Sequence, residues 1–283
     1  MNFFRFALSG MVVLLYLLGS CSSGEMNSGE QGEIEKPAQD GSGTDKNPSV
    51  TNGEDTNKPS SQINSGIPEL QINEMRTEYE STSSRAEYIE FKMRTAGNLN
   101  GLRVFIASNY NTPLVFEFLP VEVAKDEYVV LHLRTLGNSC KNEYGGNLNE
   151  SSGTDSSPTA RDFWVPGNKK LLRKTDAIYV LDKDDNVLDA VMIAEDTSLE
   201  SWPLVSRQDC FPPAAEFLFN KGAWKSAGGT ISGPADAVDS SDIKTSLIRS
   251  ISRDETVGDT NTAADWYISN GVTPGGENNP TRF

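Results

Sequence analysis

Short strand-like segments recur along residues 67–283, and they constrain the fold more than any other feature of this chain. In "AEYIEFKMR" (86–94), Glu87, Ile89, Phe91 and Met93 alternate with Tyr88, Glu90, Lys92 and Arg94. Alternation with period two predicts a half-buried strand whose polar face meets solvent. "EYVVLHLR" (127–134) repeats the pattern, and "ELQINEMR" (69–76) follows it until Met75, which falls off the parity of Leu70 and Ile72. Strands are also predicted at 102–108 and 113–119, around the turn "NYNT", and at 246–253 and 265–269. "DAIYVLD" (176–182) and "NVLDAVMIA" (186–194) flank the polar turn "KDD", which predicts a hairpin. One helix is expected in "PAAEFLFNKGAW" (213–224), opened by Pro212 and Pro213. Many short strands with a single helix predict an all-β antiparallel sandwich in one domain, 67–283. Two irregular stretches interrupt it: a Gly/Asn/Ser-rich segment at 135–162, read as a long exposed loop, and an insertion at 196–245.

Residues 1–20 have the layout of an export signal: Arg5, then the apolar run "FALSGMVVLLYLLG", then the small Ser20. The apolar core is too short for a retained membrane span. "LGSC", Leu18 to Cys21, resembles the lipobox of bacterial lipoproteins. That resemblance implies lipid attachment at Cys21 and a membrane location, with the outer membrane or cell surface favoured over the inner membrane. Residues 22–66 contain no aromatic residue and no Leu, so they cannot bury enough apolar surface to offset chain entropy. The 21–66 stretch therefore reads as a disordered Gly/Ser/Asn/acidic tether with a span on the order of 35–40 Å.

The formal net charge of −15 argues against a nucleic-acid partner, which needs clustered Lys and Arg. It argues equally against charge-driven adhesion to anionic lipid, leaving acyl chains to hold the membrane. With Cys21 assigned to lipid, Cys140 and Cys210 remain, and two thiols in an exported chain are a disulfide candidate.

Three further segments carry a family resemblance. "LQINEM", then "AEYIEFKM", then "NLNGLRVFIAS" is similar to the opening of a lamin-tail domain. "IYVLDKDDNVLDAVMI" resembles that family's later hairpin, and "SLIRSISRDETVGDTNTAADWYISNGVTPGGENN" resembles its closing stretch of R, D-W and T-P-G-x-x-N. The chain departs from the pattern at Asn186, where Gly is usual, and at Leu102-Arg103, where Gly-Trp is usual. The resemblance implies an immunoglobulin-like sandwich, display on exported bacterial surface proteins, and no catalytic residues.

The residues themselves offer little for catalysis. His132 is the only histidine, which excludes sites that need two, and it sits inside an alternating strand with no G-x-S-x-G elsewhere. "DKDDN" (182–186) resembles half of a calcium loop but has Val187 and Ile193 where Gly and Glu are needed, so a hairpin turn is the better reading. Glu74, Glu87 and Glu90 could gather around a hard metal, although Glu87 and Glu90 have opposite parity on one strand. No catalytic, metal or cofactor residue is assigned. Trp202, Phe211, Phe217 and Trp224 in the 196–245 insertion are the candidate binding anchors. The resulting expectation is a membrane-anchored, non-catalytic binding or structural protein with an unidentified protein or glycan partner. The alternative is an exported hydrolase, metal-assisted or served by this chain as an accessory module.

Overall fold

Leu70, Ile72 and Met75 cannot all face one side of a regular strand, yet all three are buried in one core. A β-bulge reconciles them. Strand β1 (Leu70–Arg76) pairs with β2 (Tyr88–Met93) so that Ile72 faces Phe91 and Glu74 faces Glu90, leaving Asn73 as the extra residue. The bulge flips the parity of everything after it. Met75 returns to the core side, and Glu74 is placed beside Glu90 on the other.

The computed structural model describes residues 66–77, 87–109, 112–135, 137–203, 211–226, 233–243 and 248–283. Cys21, Cys210, the side chain of Phe211 and residues 21–65 of the expected tether lie outside the described residues. The remaining strands are β3 (Gly97–Asn98), β4 (Arg103–Ile106), β5 (Leu114–Glu117), β6 (Glu122–Val123), β7 (Tyr128–His132) and β8 (Ala160–Trp164). They continue with β9 (Asp176–Leu181), β10 (Val187–Ala194), β11 (Val238–Asp239), β12 (Ser250–Arg253) and β13 (Trp266–Ser269). One sheet runs β13-β12-β1-β2-β7-β8, a second runs β11-β10-β9-β4-β5, and β3 and β6 form a small ribbon. Two of the pairings, β7 with β8 and β10 with β11, are parallel, and the others are antiparallel. This is an all-β sandwich of two sheets with one short helix. Every strand expected from alternation is present.

The inner faces meet through Ile72, Phe91 and Leu131 on one side and Val104, Ile178 and Val191 on the other. Phe118 sits at the centre of an aromatic group, edge-on to Phe91 at 6.3 Å, Phe116 at 5.0 Å and Phe163 at 5.0 Å. Truncating such a ring to alanine costs about 3–5 kcal/mol.

The turn between β9 and β10 is built by Asp182. Its Oδ1 accepts the N–H groups of Asp184 (2.8 Å) and Asn186 (2.9 Å), its Oδ2 accepts Asn186 Nδ2 (2.9 Å), and Asp185 takes φ 63°. Both carboxylate oxygens of Asp182, the first residue of the calcium-like motif, thus serve the hairpin.

Helix α1 (Phe211–Asn220) begins and ends earlier than the sequence pattern suggests. Pro212 and Pro213 fit its first turn, where N–H groups have no intrahelical partner. Gly222, at φ 70°, stops it: Gly222 N–H donates to Phe219 O and Ala223 N–H to Leu218 O, the paired bonds of a Schellman cap. "KGAW" is therefore a cap and turn, not a last helical turn.

Two readings are corrected. Strand β8, with every residue buried, begins at Ala160, inside the stretch 135–162 expected to be an exposed loop, and runs two residues past its end. Its Arg161 and Asp162 hide it from any alternation test. The polar face of β2 is not solvated either, because Tyr88 and Glu90 are fully buried.

Candidate functional site

What buries the polar face of β2 is the chain's last stretch. Residues 270–279 cross the outer side of the first sheet as a strap, and Asn73 and Glu74 of β1, Glu90 of β2 and Ser250 of β12 meet beneath it. Glu74 Oε1 accepts from Ser250 Oγ (2.6 Å), Thr273 Oγ1 (3.2 Å) and Ser252 Oγ (3.4 Å). Its Oε2 accepts Thr273 N–H (2.9 Å) and the Tyr88 hydroxyl. Glu90 accepts Gly275 N–H (2.5 Å) and Asn73 Nδ2 (2.7 Å). Asn73 and Asn278 exchange amide bonds at 3.1 Å, so the bulge residue grips the strap directly. Gly275 is required there: its φ is 81°, and a Cβ would lie 2.2 Å from Ser157 Oγ. Burial pushes the Glu90 carboxyl up to about 8, with nearby Glu74 adding to the rise against the donors Gly275 and Asn73.

The bulge also leaves the backbone of Ile72 to be satisfied from the side. Asp189 on β10 accepts Ile72 N–H (2.6 Å), and Arg253 Nε donates to Ile72 O (2.8 Å). Arg253 Nη2 closes the triangle on Asp189 (2.6 Å), and its guanidinium lies 4.5 Å over the Trp266 ring. Burial lifts Asp189 to about 6 against the pull of Arg253. Glu87, whose parity sends it to the opposite face from Glu90, accepts Leu171 N–H (2.7 Å), and burial raises its carboxyl.

His132 and the segment 137–159 form a second polar assembly. His132 Nε2 lies 2.8 Å from Asp162 Oδ1, and its ring stacks on Trp164 at 3.8 Å. Asp162 Oδ2 accepts Ser157 N–H (3.1 Å), and Asp162 N–H donates to Glu143 (2.8 Å). Arg161 binds Glu127 (2.8 Å) and the carbonyls of Glu143 and Gly145. The stretch expected to be exposed thus lies along the free edge of β8, with Glu143 fully buried. Such capping protects an edge strand from pairing with other chains. Cys140 is half-buried here, and its expected partner Cys210 is outside the described residues.

The aromatic anchors separate. Trp224 is 1 % exposed and donates Nε1–H to Asp236 O (2.9 Å), and Trp202 is 9 % exposed; both belong to the core. They pack because the 196–245 insertion folds onto the second sheet, so neither offers a surface. Phe217 is half-buried, 6.0 Å from Tyr179. Tyr179 in turn stacks on its cross-strand partner Phe105 at 5.0 Å and 3°. Phe105, Tyr179 and Phe217 form a row on the outer face of the second sheet, continued by Leu114, which is 38 % exposed. Lys221 lies 5.7 Å over Phe217 and Arg103 lies 6.0 Å over Phe105, at the two ends. Only Phe217 of this row is among the candidates the sequence offers, because its members come from separate segments. The signal was present as Phe105 and Tyr179 on the outward parity of two neighbouring strands.

Among the described residues no group of three or more His, Cys, Asp or Glu could hold a metal ion. A cavity of about 70 Å³ beside Gln71, Arg94, Arg253 and Asp259 is far below the ~300 Å³ at which ligand pockets begin. No helix among the described residues is long and apolar enough to cross a membrane.

A search of curated proteins finds no match to this chain. A family model, TP_1001_2nd, described as a protein second domain, matches residues 68–268. The match takes in the bulge, both sheets, the capped β8 edge and the aromatic row, and with most of its length inside it the chain belongs to the TP_1001 second-domain family.

Proposed function

We propose that this chain is a lipid-anchored, non-catalytic binding and structural module of a bacterial outer membrane or cell surface, with a body resembling a lamin-tail domain. One observation carries the reading. The groups best suited to chemistry, Glu74, Glu90, His132 and Asp162, are all buried and tied to protein donors and acceptors, whereas the half-exposed rings stand in a row on an outer sheet face. Acid–base groups need access to a substrate proton, and these four face the protein's own backbone and side chains. Aromatic rings on a rigid sheet are suited to contact with a partner. The convergence of the I-N-E, E-Y-I-E and T-P-G-x-x-N segments on one network supports the lamin-tail likeness, since each would be needed only in the presence of the others.

The anchor is tested by fractionation. Cys21→Ala should move the protein from the membrane to the soluble fraction, and a variant that still sediments with membranes overturns the anchor. The binding role is tested in parallel: surface extracts passed over the intact protein should yield a partner that Phe105→Ser no longer captures. Reproducible turnover of a substrate by the purified protein would remove the non-catalytic reading.

A further inference from the structure

Glu74 and Glu90 are direct cross-strand partners on the same face, both fully buried, in a pairing that usually brings Cβ atoms within about 5.5 Å. Their surroundings differ. Five donors converge on Glu74 and two on Glu90. Among the described residues, the nearest cations have other acidic partners. Lys92, on the same strand, is drawn to Glu255 at 2.5 Å, and Arg76 lies over Tyr88 and pairs with Asp155. The other titratable groups facing Glu90 are Tyr88 beside it and Tyr128 from β7, and the strap's one acid, Glu277, is exposed. Burial and the neighbouring Glu74 favour the protonated form of Glu90, the carboxyl with fewer donors.

The strap is what keeps water from that pair. Its grip is mostly polar: Thr273, Gly275 and Asn278 bind the seam, while Val272 alone packs on the small apolar cluster of Tyr88, Val130 and Ala160. We propose that the strap over residues 270–279 is an acid-closed latch, held down while Glu90, buried beside Glu74 and bound to the Gly275 amide, keeps its proton. Loss of that proton to solvent leaves a charged Glu90 carboxylate under the strap. Hydrating it requires the strap to lift, which uncovers the β1–β2 seam.

The sign follows from linkage. A carboxyl whose pKa is about 8 when covered and ordinary when hydrated binds its proton more tightly in the closed state. Opening is therefore suppressed below the ordinary carboxylate range, grows about tenfold per pH unit above it, and levels off beyond about pH 8. Hydrogen exchange on the purified full-length protein in detergent, corrected for intrinsic exchange, reads this directly. Protection of the Gly275 amide should fall about tenfold per pH unit between pH 5.5 and 7.5, with Ile178 on β9 keeping the higher protection throughout. Glu90→Gln, which fixes the neutral form, should hold Gly275 protection flat over that range. Glu74→Gln is the second variant, to be used if Glu90→Gln lowers protection at Ile178: relieved of its neighbour, Glu90 should titrate lower and the loss should begin at more acidic pH. A flat wild-type profile, an unchanged slope in Glu90→Gln, an unshifted profile in Glu74→Gln, or loss at Gly275 and Ile178 together would each overturn the latch.

Discussion

The polar framework around the Asn73 bulge and the aromatic row on the second sheet invert the usual relation between polarity and exposure. The framework holds Glu74, Glu90, Asp189 and Arg253, all buried. The row holds Phe105, Tyr179 and Phe217, all half-exposed. Outward-facing charged residues on the first sheet are covered by the strap and by segment 137–159, whereas outward-facing rings on the second are covered only in part, by α1. The lesson is that a buried polar group demands partners whose positions are fixed, so the framework is rigid and unforgiving. Half-exposed rings can lose a contact without leaving a buried polar group unsatisfied.

If that contrast is sound, damage to the framework must cost far more stability than damage to the row. The largest effect is expected for Arg253→Met. It leaves Asp189 buried without its cation and Ile72 O without a donor, and breaking a buried pair in this way costs about 3–5 kcal/mol. Denaturant titration of wild type and variant measures it, and a loss below 1 kcal/mol would mean that the triangle contributes little.

A pH series sharpens the comparison at the next level. Burial raises Asp189 to about 6, Asp176 to about 7 and Glu90 to about 8. Each therefore contributes stability that is fully present below its unfolded value, near 4, and is lost as pH rises through its folded value. The intact protein should unfold at lower denaturant at pH 8.5 than at pH 5, by an amount on the order of a few kcal/mol. Asp259, lowered overall with Arg253 beside it, works in the opposite direction but is only partly buried. A midpoint that climbs steadily with pH would contradict the framework's charge state.

The smallest effect on stability belongs to the row. Phe105→Ser removes one stacked cross-strand contact from a half-exposed surface and should cost only about 1 kcal/mol. A cost matching that of Arg253→Met would erase the distinction between the two regions and make the row part of the core.

Much of this architecture could be read locally. The strands at 86–94 and 127–134 show their period, the Asp182–Asn186 turn shows its side-chain chemistry, and Met75 signals the bulge by falling off parity. Strand β8 was hidden because its Arg161 and Asp162 are buried, and they are buried only because Glu127, Glu143 and His132 are there to receive them. Two of the four candidate anchors, Trp202 and Trp224, are withdrawn for a related reason. Their place in an insertion left exposure open, and packing in the core puts Trp224 at 1 %.

The sequence by itself determined the sandwich, its hairpin, its helix and its acidic charge, because period-two alternation, turn chemistry and capping act between residues a few positions apart. Only the tertiary structure decided which polar faces meet water. Thr273 reaches Glu74 across 199 residues and Gly275 reaches Glu90 across 185, and no local pattern encodes where a chain returns over such a distance. Burial of a charge is a property of everything packed around it, so the acids beneath the strap acquired their partners, and Glu90 its raised proton affinity, from the fold as a whole.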